Sequence, residues 1–332
     1  MNATSGAGST TKTGNRTQPG RSAKNDAATL PTETAASGSA RAQAQAPPHA
    51  HPLALEARGV TLAYERTVIF EGLDLAIARG QVTTLIGANG SGKSTLLKAF
   101  GRLLAPSAGS VELNGRPVKS MGTRDVARLL AILPQKPLTP SATTVRDLVS
   151  RGRHPHQSLL RPWTPNDSVV VDAALAATGL TELGDRDAGS LSGGQLQRAW
   201  IALILAQEAP TILLDEPTTF LDLAHQLEVL RLVRRINRER GATVVMVLHD
   251  LTLAGRYSDR LVVVGGGRII ADGSPWEVLT PAILREAFGL EAMVIPDPSS
   301  GSPLIVPVDP DPGAADHASD STPASTPGST SA

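Results

Sequence analysis

Apolar and polar positions alternate through Leu53-Ala54-Leu55-Glu56-Ala57-Arg58-Gly59-Val60-Thr61-Leu62, the two-residue period of a half-buried strand. Apolar segments follow at Val68–Phe70 and Leu73–Ile77, and Arg79-Gly80 reads as a turn, so the chain opens with short strands in a small antiparallel sheet. The pattern then changes. Gln81–Ile86 reads as a short buried strand, and Leu130–Leu133, Thr211–Leu214 and Thr243–Leu248 are nearly uninterrupted apolar runs, which is how strands buried on both faces look. Between them, helical stretches are expected at Thr95–Phe100, Thr123–Leu129, Val145–Ser150, Asn166–Thr178, Gln197 to about Gln207, Leu223–Glu239 and about Pro275–Phe288. Hairpins are signalled at Gly109–Gly115 and around Gly265-Gly266-Gly267. The alternation predicts an α/β fold: a mostly parallel sheet, an N-terminal antiparallel β subdomain, and an inserted α-helical subdomain at about 137–195.

The flanks follow different rules. Residues 1–52 are rich in Ala, Ser, Thr, Gly and Pro, with almost no large apolar side chains, so they predict a disordered N-terminal tail. It is mildly basic (Lys12, Arg16, Arg21, Lys24 and Arg41 against Asp26 and Glu33). Residues 309–332 predict a second disordered tail, acidic through Asp309, Asp311, Asp316 and Asp320 and devoid of Lys and Arg. That leaves 53–291 as the folded domain and 292–308 as a C-terminal extension.

Over the 332 residues Lys+Arg and Asp+Glu are both 31, so no global field points to nucleic acid as a partner. The chain has no cysteine, which removes disulfides and thiolate metal sites. No run approaches the roughly 18 apolar residues of a membrane span, and the start lacks a secretory h-region. Any membrane role is therefore expected to pass through a partner.

The chemistry begins at Gly87-Ala88-Asn89-Gly90-Ser91-Gly92-Lys93-Ser94-Thr95, which fits G-x-x-x-x-G-K-[ST] between an apolar strand and a helix. Glycines let backbone amides curl into a concave nest, and the helix N-terminus adds partial positive charge, so the stretch suits a phosphate. Lys93 would reach the β- and γ-phosphates and Ser94 would ligate Mg²⁺. Tyr64 could stack on adenine. Gln135, at the end of an apolar strand, is placed to reach the metal and an attacking water. Thr211-Ile212-Leu213-Leu214-Asp215-Glu216 ends in two carboxylates: Asp215 would hold Mg²⁺ through water, and Glu216 would polarise the attacking water as a general base. His249 closes a further strand and could hydrogen-bond the γ-phosphate. A second glycine turn, Leu191-Ser192-Gly193-Gly194-Gln195, opens a helix. One site rarely needs two such nests from one chain, so Ser192, Gly193, Gly194 and Gln195 are expected to serve a nucleotide held by another copy. His154 and His156 flank Pro155 and lack carboxylates nearby in sequence, which argues against a metal pair.

With these residues in order, together with Asp222, the chain resembles the ATP-binding subunit of ABC transporters, a P-loop ATPase family, over about residues 53–291. Gly152–His156, Gln197–Ala202 and Asp215–Gln226, with Phe288-Gly289-Leu290 and Asp297-Pro298, resemble the branch importing ferric siderophores, which also contains haem and cobalamin importers. The resemblance implies ATP and Mg²⁺ as cofactors and a head-to-tail homodimer enclosing two ATP molecules. It adds Asp222 to the nucleotide site. It also implies a separate membrane-spanning permease, indirectly a substrate-binding protein, and a peripheral position on the cytoplasmic face of the membrane. Another metal-chelate cargo, an exporter, and a soluble ABC ATPase acting on ribosomes or DNA are the alternatives left open.

Overall fold

The computed structural model describes residues 52–64, 67–138, 141–158 and 162–308. The expected tail at 309–332, and all of the 1–52 tail except Pro52, lie outside these residues.

Strands β1 (Leu53–Tyr64) and β2 (Thr67–Ala78) pair antiparallel. After β3 (Val82–Ile86) and α1 (Lys93–Phe100), strands β4 (Ala108–Leu113) and β5 (Arg116–Pro117) return to the first sheet, giving the order β2-β1-β4-β5. The first two strands are longer than the sequence pattern suggests, twelve residues each. Two apolar segments, at Val68–Phe70 and Leu73–Ile77, belong to one strand. Phe70 and Leu73 are both buried although three positions apart, and the register slips between Val60↔Leu73 and Leu62↔Phe70. A bulge restarts the alternation without ending the strand, with Gly72 at φ +64° taking the left-handed backbone it requires.

Helix α2 (Thr123–Leu129) leads into β6 (Leu130–Leu133). Then α3 (Val145–Ser150), α4 (Pro165–Ala177) and α5 (Gly193–Gln207) pack on one another as the helical insertion. Strand β7 (Thr211–Leu214), α6 (Leu223–Arg240), β8 (Thr243–Val247), α7 (Leu251–Tyr257), β9 (Arg260–Gly265) and β10 (Arg268–Gly273) complete the second sheet, ordered β10-β9-β3-β8-β7-β6. Every pairing in it is parallel except β10 with β9. Val82, Ile212, Val244 and Met246 face a core shared with α3 to α7, whereas Leu85, Leu213, Val245 and Val247 face one shared with α1 and the β subdomain. Burial on both faces is what the unbroken apolar runs encode.

The expected terminal helix divides into α8 (Pro275–Val278) and α9 (Pro281–Phe288). Pro281 has no N–H to continue the first helix but suits the first turn of the next, which Thr280 caps by accepting from the Ile283 amide. Residues 292–308 then form a hairpin of β11 (Ala292–Pro296) and β12 (Pro303–Pro307), for which the sequence reading assigned no structure. Val294 and Ile305 fix it to the main core. No helix among the described residues is long and apolar enough to cross a membrane.

Candidate active site

Four neighbouring parallel strands, β3, β8, β7 and β6, bring their carboxyl ends side by side. Each leads into one part of the predicted constellation: β3 into the glycine loop, β8 into His249, β7 into Asp215 and Glu216, and β6 into Gln135. Hydrogen bonding of a parallel sheet therefore does the assembling of groups up to 162 residues apart (249 − 87).

The loop depends on glycine at its first position. Gly87 has φ +150°, and a Cβ there would lie 2.1 Å from the Val264 carbonyl oxygen, which belongs to rigid backbone of β9. From α1, the Lys93 ammonium folds back over the loop and donates to the carbonyls of Gly87 and Ala88, both at 2.9 Å. The lysine is buried, and that burial lowers its pKa, opposed by the nearby charges of Glu216 and Asp215. Ser94 donates its hydroxyl to Asp215 Oδ1 at 2.7 Å. Burial raises the pKa of Asp215, with the Ser94 hydrogen bond opposing.

Glu216 sits at the centre of a polar fan. His249 Nε2 lies 2.8 Å from Oε1, while Gln135 Nε2 at 2.5 Å and Thr219 Oγ1 at 2.9 Å donate to Oε2. Burial works against its ionisation, yet the hydrogen bonds from His249, Thr219 and Gln135 outweigh it and hold the carboxyl below its usual range. The backbone at Glu216 has φ +52°, a left-handed conformation before Pro217 that a non-glycine residue rarely adopts. Strain of this kind collects where a side chain must be aimed. Thr219 is the member that sequence reading missed; its only signal is a position one turn beyond Glu216.

A cavity of about 190 Å³ is lined by Tyr64, Asn89, Gly92, Lys93, Ser94, Thr95, Glu216 and His249, with Gly90 and Ile69. Tyr64 is half-exposed at its rim, with the Lys98 ammonium 5.9 Å from the ring centre. The segment Ser192–Gln195 is not part of this lining. It begins α5 instead, where the Ser192 hydroxyl accepts from the Gln195 amide at 3.3 Å and the Gln195 side chain accepts from the Ser192 amide at 3.0 Å. Asp222 is also outside the cavity; it caps α6 through the His225 amide at 2.9 Å and faces His225 Nδ1 at 2.8 Å. His156 turns its ring to the Gln207 carbonyl at 2.8 Å, tying the 151–156 turn to the end of α5.

Residues 70–219 match the sequence profile of the ABC transporter family. Over 254 residues the chain is 50% identical to the achromobactin transport ATP-binding protein CbrD of Dickeya dadantii (strain 3937), covering 76% of this chain and 94% of that protein. The chain belongs to the ABC transporter family. Within it, this ABC cassette is 45% identical over 254 residues to the ferric enterobactin transport ATP-binding protein FepC of Escherichia coli (strain K12), covering 76% of the cassette and 94% of that protein. Among solved structures, it superposes with a TM-score of 0.67 and 29% identity on an inward-facing chain assigned as a metal-chelate type ABC transporter, covering 78% of the cassette and 98% of that chain. The ABC cassette is thus a P-loop α/β core carrying an antiparallel β subdomain.

Proposed function

We propose that this ABC cassette is the ATP-hydrolysing subunit of an importer of ferric siderophores, working as a head-to-tail pair with a second copy beneath membrane-spanning permease subunits on the cytoplasmic face of the membrane. A substrate-binding protein would deliver the cargo to the permease. The observation that carries the reading is the meeting of loop, amide, carboxylates and imidazole at four adjacent strand ends, in a chain 50% identical over 254 residues to an achromobactin transport ATP-binding protein.

The residues divide the work by chemistry. Gly87–Thr95 offers backbone amides at the start of α1 to phosphate oxygens, and Lys93 exchanges its two carbonyl contacts for the β- and γ-phosphates. Tyr64 stacks on the adenine at the cavity rim. Ser94 and Asp215 present hard oxygen donors 2.7 Å apart, and the Gln135 carbonyl oxygen is left over once its amide nitrogen bonds Glu216, a donor set that fits Mg²⁺. When bound, that ion supplies charge neutralisation on the phosphate oxygens. Glu216 orients and polarises the attacking water, and His249 contacts the γ-phosphate.

Three donors converge on Glu216 in this structure, so its carboxylate is too stabilised to be an effective base. Drawing His249 toward a γ-phosphate would free Oε1, and release of Gln135 would leave Oε2 with Thr219 alone. Ser192, Gly193, Gly194 and Gln195 stand at a helix N-terminus away from the cavity, as suits a contact with the nucleotide of the opposite copy. Asp222, at the end of the loop following Glu216, is assigned to the same assembled nucleotide site.

The test is iron-limited growth of a strain lacking this gene and any redundant ATPase, with single ferric siderophores supplied in turn. Growth is expected to fail on at least one, to return with the unchanged gene, and not to return with Lys93→Ala. Normal growth on every siderophore would remove the iron cargo while leaving the nucleotide chemistry standing.

A further inference from the structure

Helix α6 carries an arginine stripe that the nucleotide chemistry does not use. Arg231, Arg235 and Arg238 recur at i, i+4 and i+7 and are exposed, while Leu230, Val233 and Ile236 bury the opposite face. They line a groove of about 700 Å³ between α6, the end of α7 and the β11–β12 turn, which contributes Ser300. Two further arginines line it but are engaged: Arg234 with Asp259 at 2.9 Å, and Arg256 with Asp297 at 3.6 Å. Arg231, Arg235 and Arg238 make no ion pair among the described residues, and Glu239 is the carboxylate on the groove wall. Cations help the last turn of a helix, which accounts for Arg238, but Arg231 and Arg235 lie further up, where like charges one turn apart repel.

The geometry points to this groove as the docking site of the chain's own acidic C-terminal segment, residues 309–332. That segment carries Asp309, Asp311, Asp316 and Asp320 with no Lys or Arg, so its charge complements the stripe. The described chain reaches Val308 at the end of β12, in a hairpin whose turn already forms part of the groove wall. To reach the groove wall at Ser300 the chain must run back along β12, whose five residues span about 17 Å, and past Ser302 and Gly301. Asp316 lies eight residues on (316 − 308) and Asp320 twelve (320 − 308), up to about 26 Å and about 40 Å of extended chain, so both come within range without unfolding the hairpin. Attachment to the same chain raises the effective concentration of the acidic segment to roughly the millimolar range, enough for weak ion pairs to hold it.

The experiment uses the full chain and a fluorescein-labelled peptide of residues 309–332 as probe. A full-length variant with Asp309, Asp311, Asp316 and Asp320 each changed to Asn should bind the peptide at least tenfold more tightly at low salt than the unchanged chain, whose groove is already filled. Adding Arg231→Ala, Arg235→Ala and Arg238→Ala to that variant should remove the gain, with an unchanged circular dichroism spectrum. Equal binding to the neutralised and unchanged chains, or binding indifferent to the three arginines, would overturn the assignment. So would phosphatidylglycerol vesicles binding the unchanged chain through these arginines as tightly as the neutralised one, since the groove would then be open to a lipid surface.

Discussion

Glu216→Gln is expected to bind ATP with affinity close to that of the unchanged chain and to lose about 100-fold or more of its steady-state hydrolysis. Glutamine keeps the length of the side chain and can still accept a hydrogen bond from His249 or Thr219, so the polar fan loses least in this substitution. What disappears is the negative charge proposed to polarise the attacking water. The contacts assigned to phosphate, from Lys93 and the glycine loop, are untouched, which is why binding and turnover should separate. Lys93→Ala should behave differently and weaken binding itself. Phosphate release and equilibrium nucleotide binding, measured on the same preparation, distinguish the two; vigorous turnover by Glu216→Gln would sink the role given to that carboxylate. Because its pKa is held below the ordinary carboxylate range, Glu216 stays ionised throughout neutral pH, so any pH dependence of turnover near pH 7 belongs to other groups and should disappear in a variant that replaces them while Glu216 stays in place.

Much of this site was legible because it lies where strong local signals coincide. An apolar run announces a buried parallel strand, and a charged or polar residue at its carboxyl end is a candidate for chemistry; Gln135, Asp215, Glu216 and His249 all stand at such ends. Gly87–Thr95 adds a sequence pattern with its own geometry. Periodicity does less well where register, not composition, decides. One bulge near Gly72 merges two apparent strands, and a single proline at 281 splits an apparent helix. The β11–β12 hairpin was not legible because Pro296, Pro303 and Pro307 weaken the strand pattern of its short apolar runs, and its docking on α7 and α9 leaves no local signal. Thr219 and the Glu216 backbone conformation could be seen only once the loop after β7 had a shape. The segment Gly152–His156 is a different case: it looked like a subfamily marker with two unexplained histidines, and the structure gives its arginine a mechanical task.

Arg153→Ala is expected to destabilise the helical insertion by about 3–5 kcal/mol, the usual consequence of removing one partner of a buried ion pair. The Arg153 and Asp167 side chains are only 3% and 4% exposed and meet at 2.8 Å. The same guanidinium donates to the Ala206 carbonyl at 2.7 Å and to Glu208 at 2.7 Å, so one side chain joins the 151–156 turn, the start of α4 and the end of α5. Asp167 also caps its own helix, accepting from Thr164. Burial opposes its charge, but hydrogen bonds from Thr164 and Arg153 win and lower its pKa to about 2. A carboxyl depressed in the folded state adds stability that is fully present above its unfolded value of roughly 3.9 and is lost as pH falls toward 2. The unchanged protein should therefore lose part of its stability between about pH 4 and pH 2, and Arg153→Ala should show a smaller loss over that window because the folded pKa has moved back up. Arg153→Lys keeps the charge but has one ammonium to replace a fork that reaches three partners, so it should fall between the two. Denaturant unfolding at pH 7 and pH 3 checks all of this. Equal midpoints for the unchanged chain and Arg153→Ala would mean that the buried pair adds nothing to holding α4 against α5. A selective fall in ATP turnover without that shift would instead place Arg153 in the coupling between the insertion and the nucleotide.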